Sequence, residues 1–307
     1  MSSKLHSPII LFGNTRSGTT IVQKVISTHP NVVGWYEPNP IWMYPDPGRI
    51  HDEFDKSDAS KKTKHYIRKR FLKYQEHHGN RVIMEKTPQN ILRIPYVREI
   101  FPDATFLFIV RDPFSFISSV EYKWQLTVTG RGILRRLKDT PLASLPYWVK
   151  RYTIQQYNKR FLHKKYLSIW GPRYKGIQDD LETNDLLTVI ARQWSVPSMK
   201  SAQDMESFDD GQILKLRYED FVDDPISNLE DICAHCGLDM SSDMVESTRA
   251  MVKSDRKNKW LRFDKEQLAN ILPEIRDEMG RHGYDIPQEI SQPQVTQLSR
   301  DIVYTAQ

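Results

Sequence analysis

The chain has 307 residues, 39% of them hydrophobic and 27% charged, with 44 Lys and Arg against 39 Asp and Glu for a formal net charge of +5. That profile excludes a disordered, collagenous or low-complexity chain, and two cysteines exclude a disulfide framework. No apolar run approaches the roughly 20 residues of a membrane span, and Met1 to Pro8 lacks the apolar core of a signal peptide, so the expectation is a reducing, cytoplasmic protein.

The first element is an apolar run, Ile9–Phe12, followed by Gly13-Asn14-Thr15-Arg16-Ser17-Gly18-Thr19-Thr20 and an apolar stripe at Ile21, Val22, Val25 and Ile26. Strand, glycine-bounded loop and helix in that order turn backbone N–H groups and the positive end of a helix toward an anion. The spacing is that of a phosphate-binding loop, with Thr19 at the position of the usual lysine. The cradle is kept, the point charge is dropped, and Arg16 restores one positive charge inside the loop. A glycine turn before a helix is also a common structural device.

Val32–Trp35 is a possible strand, and it leads into Glu37 and a segment with four prolines, Pro38, Pro40, Pro45 and Pro47, interleaved with Trp42, Met43 and Tyr44. The acids Asp46, Asp52, Glu53 and Asp55 follow. Prolines stiffen a loop, and aromatic faces near carboxylates attract cations. The segment is either a solvated loop whose acids balance the basic helix Lys61–Lys73, or a pocket wall selecting a small acceptor of cationic or amine character.

Arg81–Met84 and Thr105–Val110 are the next strands. The latter ends in Arg111-Asp112-Pro113, with Asp112 at a helix N-cap and Pro113 at the first helical position. Ser115 and Ser119 share one face of that helix at i, i+4. A strand-end arginine beside serines suits a phosphate, and plain capping is the competing account. From Leu126 to Phe208 the chain reads as mostly helical, broken at Trp170-Gly171-Pro172, which suggests a helical insertion at about 126–208. Ile213–Tyr218 is the last strand. Cys233 and Cys236 fall in an apolar stripe with Leu229 and Ile232 that ends at Gly237, a core helix rather than a metal or redox site. A helix over about Lys265–Met279 closes the pattern. Strands alternating with helices imply parallel βαβ units: one α/β domain over 1–307 with a central parallel sheet flanked by helices.

A phosphate loop without its lysine, together with a separate Arg/Ser phosphate site, suits a nucleotide with phosphates at two ends. That is 3′-phosphoadenosine 5′-phosphosulfate (PAPS).

Four motifs in register resemble the PAPS-dependent sulfotransferases, in the branch that includes tyrosylprotein and bacterial enzymes. Thr15 to Thr20 is similar to the 5′-phosphosulfate loop, Glu85-Lys86-Thr87-Pro88 to the turn after the second core strand, Ile109 to Pro113 with Ser119 to the 3′-phosphate motif, and Leu216 to Phe221 with Asp224-Pro225 to the Tyr-Glu-Asp segment. The resemblance implies a P-loop-like fold and transfer of a sulfuryl group from PAPS to a hydroxyl or amine of a small molecule, releasing PAP. It implies that Arg16, Ser17, Gly18, Thr19 and Thr20 hold the 5′-phosphosulfate, with Arg16 and Lys86 also stabilising the oxygens during transfer. Arg111 and Ser119 would bind the 3′-phosphate, and Tyr218 would lie near it or the adenosine. Ser247 and Lys259 look like the C-terminal nucleotide contacts; the stretch between Ser247 and Trp260 is shortened, so Arg256 and Lys257 are alternatives to Lys259. Glu37, 21 residues after Arg16, has the spacing of that branch's base, with His51 in reserve. No motif calls for a metal, a nucleic acid or a membrane. The competing class is a P-loop kinase or NTPase, with Asp112 as a metal-binding aspartate; the absent loop lysine argues against it.

Overall fold

The computed structural model describes residues 4–125, 170–252, 259–287 and 290. Five parallel strands form one sheet: β1 (Ile9–Gly13), β2 (Val32–Tyr36), β3 (Val82–Lys86), β4 (Thr105–Val110) and β5 (Ile213–Arg217), in the order β2-β3-β1-β4-β5. Both faces are covered, which is why the strands read as continuous apolar runs rather than as alternation.

The two faces nonetheless divide the side chains with period two. Ile9 and Leu11 of β1 and Leu107 and Ile109 of β4 pack with Val22 and Ile26 of α1 (Thr19–Ile26). Ile10, Phe12, Phe106, Phe108 and Val110 face the other way, into a larger aromatic core. That core takes Trp42 from α2 (Asn39–Trp42), Phe71 from α3 (Lys61–His77), Tyr96 from α4 (Ile94–Ile100) and Phe114 from α5 (Pro113–Gln125).

Of the segment expected to be a helical insertion, 126–169 lies outside the described residues. The remainder includes a short α6 (Ile177–Thr183) and the 20-residue α7 (Leu186–Met205), N-capped by Asp185. Val189, Ile190, Ala191 and Trp194 of α7 are fully buried in the main core, where α7 packs against α5 and against Ile271 and Ile275 of the last helix, Lys265–Arg281.

β1 and β2 each run one residue past their expected ends, and two further strand ends differ in ways that bear on the site. β3 runs on through Glu85 and Lys86 because both pair within the sheet, Trp35 with Glu85 and Tyr36 with Lys86. β5 stops at Arg217, and Tyr218 opens a short helix, α8 (Tyr218–Asp223). The cysteine stripe is a helix, α9 (Pro225–Cys236), closed by Gly237 in the left-handed conformation; burial pushes the Cys236 thiol up to about 12. No described helix is long and apolar enough to cross a membrane.

The connections leaving β1 and β4 run to opposite sides of the sheet, so a crevice opens between their carboxyl ends. Ligands of open α/β sheets bind at such a point.

Candidate active site

The loop after β1 turns tightly. Gly13 cannot carry a side chain: a Cβ there would come within 2.7 Å of the Ile109 carbonyl oxygen and of the Thr19 methyl. Gly18 has φ 86°, and a Cβ on it would lie 2.2 Å from the Tyr218 ring. Both glycines are therefore demanded by close approach. Thr19 is buried with its methyl against Gly13, so what it offers the crevice is its backbone N–H at the start of α1. Ser17 is 1% exposed, and its hydroxyl has no hydrogen-bond partner among the described residues.

Arg16 adopts φ 62°, a conformation that costs a non-glycine residue on the order of 1 kcal/mol and concentrates at functional sites. Two contacts hold it there. Its Nε donates to Ser119 Oγ at 2.8 Å, and its carbonyl accepts from Arg111 Nη1 at 2.7 Å. The Arg111 guanidinium lies 4.7 Å over the Tyr218 ring, and its buried Nε has no partner among the described residues. The structure thus brings Arg16, Ser17, Gly18, Arg111, Ser119 and Tyr218 together at one crevice.

Neighbours hold this cluster from behind. Asp112 caps α5, its Oδ1 accepting from Ser115 N at 2.6 Å, while its own N–H donates to Glu219 Oε1 at 3.2 Å. Tyr284 OH donates to Glu219 Oε2 at 2.8 Å, and Trp194 Nε1 to the Arg111 carbonyl at 2.9 Å. Asp112 is thus occupied as a cap, and burial raises its carboxyl above the ordinary range.

The second half of the crevice lies at the ends of β2 and β3. Lys86 is 1% exposed; its Nζ donates to Glu37 Oε1 at 2.8 Å and sits 4.2 Å over the Tyr36 ring. Glu37 N–H donates to the Lys86 carbonyl at 3.0 Å, and Glu37 has φ 53°. Tyr36 OH lies 3.5 Å from Thr20 Oγ1, which joins this pair to the phosphate loop. Beneath Lys86, Glu85 is fully buried and accepts from Trp42 Nε1, Thr87 Oγ1 and Asn90 Nδ2. Burial pushes its carboxyl up to about 7.

The remaining expected residues are placed differently. Ser247 lies in α10 (Ser242–Met251), on the α1 side of the sheet. Lys259 opens the 3-10 turn Lys259–Arg262; Arg256 and Lys257 lie outside the described residues. From that turn Arg262 reaches α5, donating to the Ser118 carbonyl at 3.2 Å and to Glu121. Its place next to Ser119 had no signal in the motif spacing. His51 Nδ1 accepts from Glu53 N–H within its own loop at 3.3 Å, and burial lowers the imidazole.

The acidic segment is not a cation-selecting wall. Asp52 is buried in an ion pair with Arg173, whose Nη2 lies 2.6 Å away and whose backbone N–H donates at 2.8 Å. Asp46 pairs with Arg49, Glu53 Oε1 accepts from Lys175 N–H at 2.7 Å, and Asp55 caps the 3-10 turn Lys56–Asp58. All four acids therefore have partners within the protein. Accordingly, Arg173→Ala should lower unfolding free energy by about 3–5 kcal/mol, because it strands a buried carboxylate. Chemical denaturation measures this, and a loss below about 1 kcal/mol would return Asp52 to the list of available acids.

The model of the Sulfotransferase family matches residues 8–169 and 163–242. Among curated proteins, the nodulation protein NoeE of Sinorhizobium fredii is 23% identical over 134 residues, 38% of this chain and 32% of that protein; the match spans about a third of the relative's length. Among solved structures, sulfotransferase STF9 from Mycobacterium avium has a TM-score of 0.54 at 12% identity, covering 92% of this chain and 79% of that one. The sulfotransferase domain of the Synechococcus PCC 7002 olefin synthase gives 0.52 at 13%, covering 94% and 99%, and that of the curacin biosynthetic pathway gives 0.51 at 13%, covering 93% and 100%. These likenesses carry the fold, and the family match extends over the loop after β1, the Lys86 turn, Arg111 and the Tyr218 segment: the chain belongs to the sulfotransferase family.

Proposed function

We propose that this sulfotransferase takes its sulfuryl group from PAPS and passes it to a hydroxyl or amine of a small-molecule acceptor. The observation that carries this reading is the meeting of two anion-seeking groups at one crevice, a lysine-free phosphate loop and the Arg111–Ser119–Tyr218 cluster, beside the Lys86–Glu37 pair. Two buried donors without an acceptor among the described residues, Ser17 Oγ and Arg111 Nε, fit an anionic ligand. The space that Gly18 leaves under the Tyr218 ring brings the loop backbone close to it.

PAPS supplies the activated sulfuryl group and leaves as PAP. The N–H groups at the start of α1, with Ser17 and Thr20, bind its 5′ end. Arg111 and Ser119 hold the 3′-phosphate, and the face of Tyr218 orients Arg111. Lys86 and Arg16 offset negative charge on the sulfuryl and leaving oxygens; a loose, in-line transfer asks mainly for such positioning and charge. Glu37 accepts the proton that the acceptor's oxygen or nitrogen loses as it attacks sulfur. Arg262, held to Ser118 beside Ser119, borders the nucleotide end. The P-loop kinase reading is disfavoured by Thr19 packed on Gly13 and by Asp112 held as a helix cap.

Arg111→Ala should weaken PAP binding by about 2 kcal/mol, through loss of a charge-assisted contact. It should leave adenosine 5′-phosphosulfate, which has no 3′-phosphate, nearly unaffected. Calorimetric titration of both ligands decides this, and equal losses would move the 3′ site elsewhere. Glu37→Gln should lower kcat about 10²-fold or more with PAP affinity near wild type, since general acid–base groups contribute about 10²–10⁴-fold. Activity surviving in that variant and vanishing in His51→Ala would transfer the base to His51.

A further inference from the structure

Glu37 holds a backbone conformation that is unfavourable for its residue type. Its N–H is tied to the Lys86 carbonyl and its carboxylate to Lys86 Nζ, and the segment that follows it is fastened as well. A buried polar chain runs beneath the pair. Glu85 Oε2 accepts from Asn90 Nδ2 at 3.0 Å, Asn90 Oδ1 accepts from Arg93 Nε at 2.8 Å, and Arg93 Nη2 donates to Asn39 Oδ1 at 2.6 Å. Asn39 is two residues after Glu37 and opens α2; its carbonyl accepts from Met43 N–H at 3.0 Å. The far end of α2 is fastened as well, since Trp42 Nε1 donates to Glu85 Oε1 at 3.1 Å and the Trp42 carbonyl accepts from Tyr96 OH at 3.0 Å.

The chain has a direction. Arg93 can only donate, so the Asn90 oxygen faces it and the Asn90 Nδ2 faces Glu85 Oε2. The planar fork of Arg93 carries the constraint on to Asn39. Arg93 and Asn90 are fully buried, where a misdirected donor is expensive. Burial lowers the Arg93 guanidinium to about 10, and the nearby Asp52 acts against that shift.

We propose that Glu85, Asn90, Arg93 and Asn39 form a brace that holds Glu37 in its left-handed conformation against Lys86, with Asn39 as the positioning residue at its tip. The inference rests on the reading of Lys86 and Glu37 as the reacting pair only for its consequence in catalysis; the brace itself is a statement about conformation.

Asn39→Ala and Asn39→Asp test it. The alanine removes the acceptor for Arg93, and the aspartate restores one. Crystal structures of the two variants should show Glu37 out of the left-handed region and beyond hydrogen-bond distance of Lys86 Nζ in Asn39→Ala, and back in place in Asn39→Asp. PAP affinity by calorimetry should stay within about twofold of wild type in both, and melting temperature within a few degrees. Hydrolysis of PAPS by water, which needs no identified acceptor, should fall about tenfold or more in Asn39→Ala and recover in Asn39→Asp. Glu37 unmoved in Asn39→Ala, or no recovery with the aspartate, overturns the brace. If Glu37 moves as expected but Glu37→Gln itself leaves PAPS hydrolysis unchanged, the brace stands and the base assignment falls.

Discussion

A lysine ammonium that keeps 1% of its surface exposed has to be neutralised by its surroundings, because leaving a buried charge unpaired is strongly destabilising. Around Lys86 this requirement shapes the whole sheet edge. The register that sets Tyr36 opposite Lys86 gives the ammonium an aromatic face at 4.2 Å. It also delivers Glu37, the next residue of β2's exit, within 2.8 Å. The carboxylate reaches Lys86 only by turning the backbone into the left-handed region, and the N–H of Glu37 closes on the Lys86 carbonyl as it does so. This buried charge thus joins the end of β3 to a left-handed residue at the exit of β2.

The other half of the crevice shows the opposite balance. At the loop after β1, the contacts within the protein are made mostly by backbone and by Arg16, while Ser17 Oγ and Arg111 Nε are buried without a described partner. Arg16 and Arg111, backed by a helix N-terminus and the Tyr218 face, form a positive cluster of the kind that suits an anion. Lys86 and Glu37 offset each other. In the proposed reaction the loop side would take the charged nucleotide and the Lys86–Glu37 side the proton.

Much of this was readable in the linear sequence. The strands stood out as short β-branched and aromatic runs because the sheet is buried on both faces, and the loop after Phe12 stood out because glycine and polar residues interrupt two apolar stretches. What local pattern missed lies at long sequence separation. Glu85 and Lys86 look like the polar start of a turn, and only Trp42 and Glu37, 43 and 49 residues away, make them interior groups. The acids after Glu37 look available until Arg173, 121 residues on from Asp52, is folded against them. Arg93, read alone, is one basic residue in an apolar stretch; its burial follows from partners on three different segments. Nor does anything local reveal that Arg192 of the helix Leu186–Met205 pairs with Glu274 of the last helix, 82 residues on.

The central claim is that the crevice is built for a nucleotide phosphorylated at both its 3′ and 5′ positions, with a threonine where a nucleoside triphosphate would need a lysine. Calorimetric titration of the full chain with PAP, and separately with ATP and magnesium, tests it most directly. The account predicts that PAP binds at least about a hundredfold more tightly, a difference of roughly 3 kcal/mol. ATP binding as tightly as PAP, or PAP failing to bind, would contradict it.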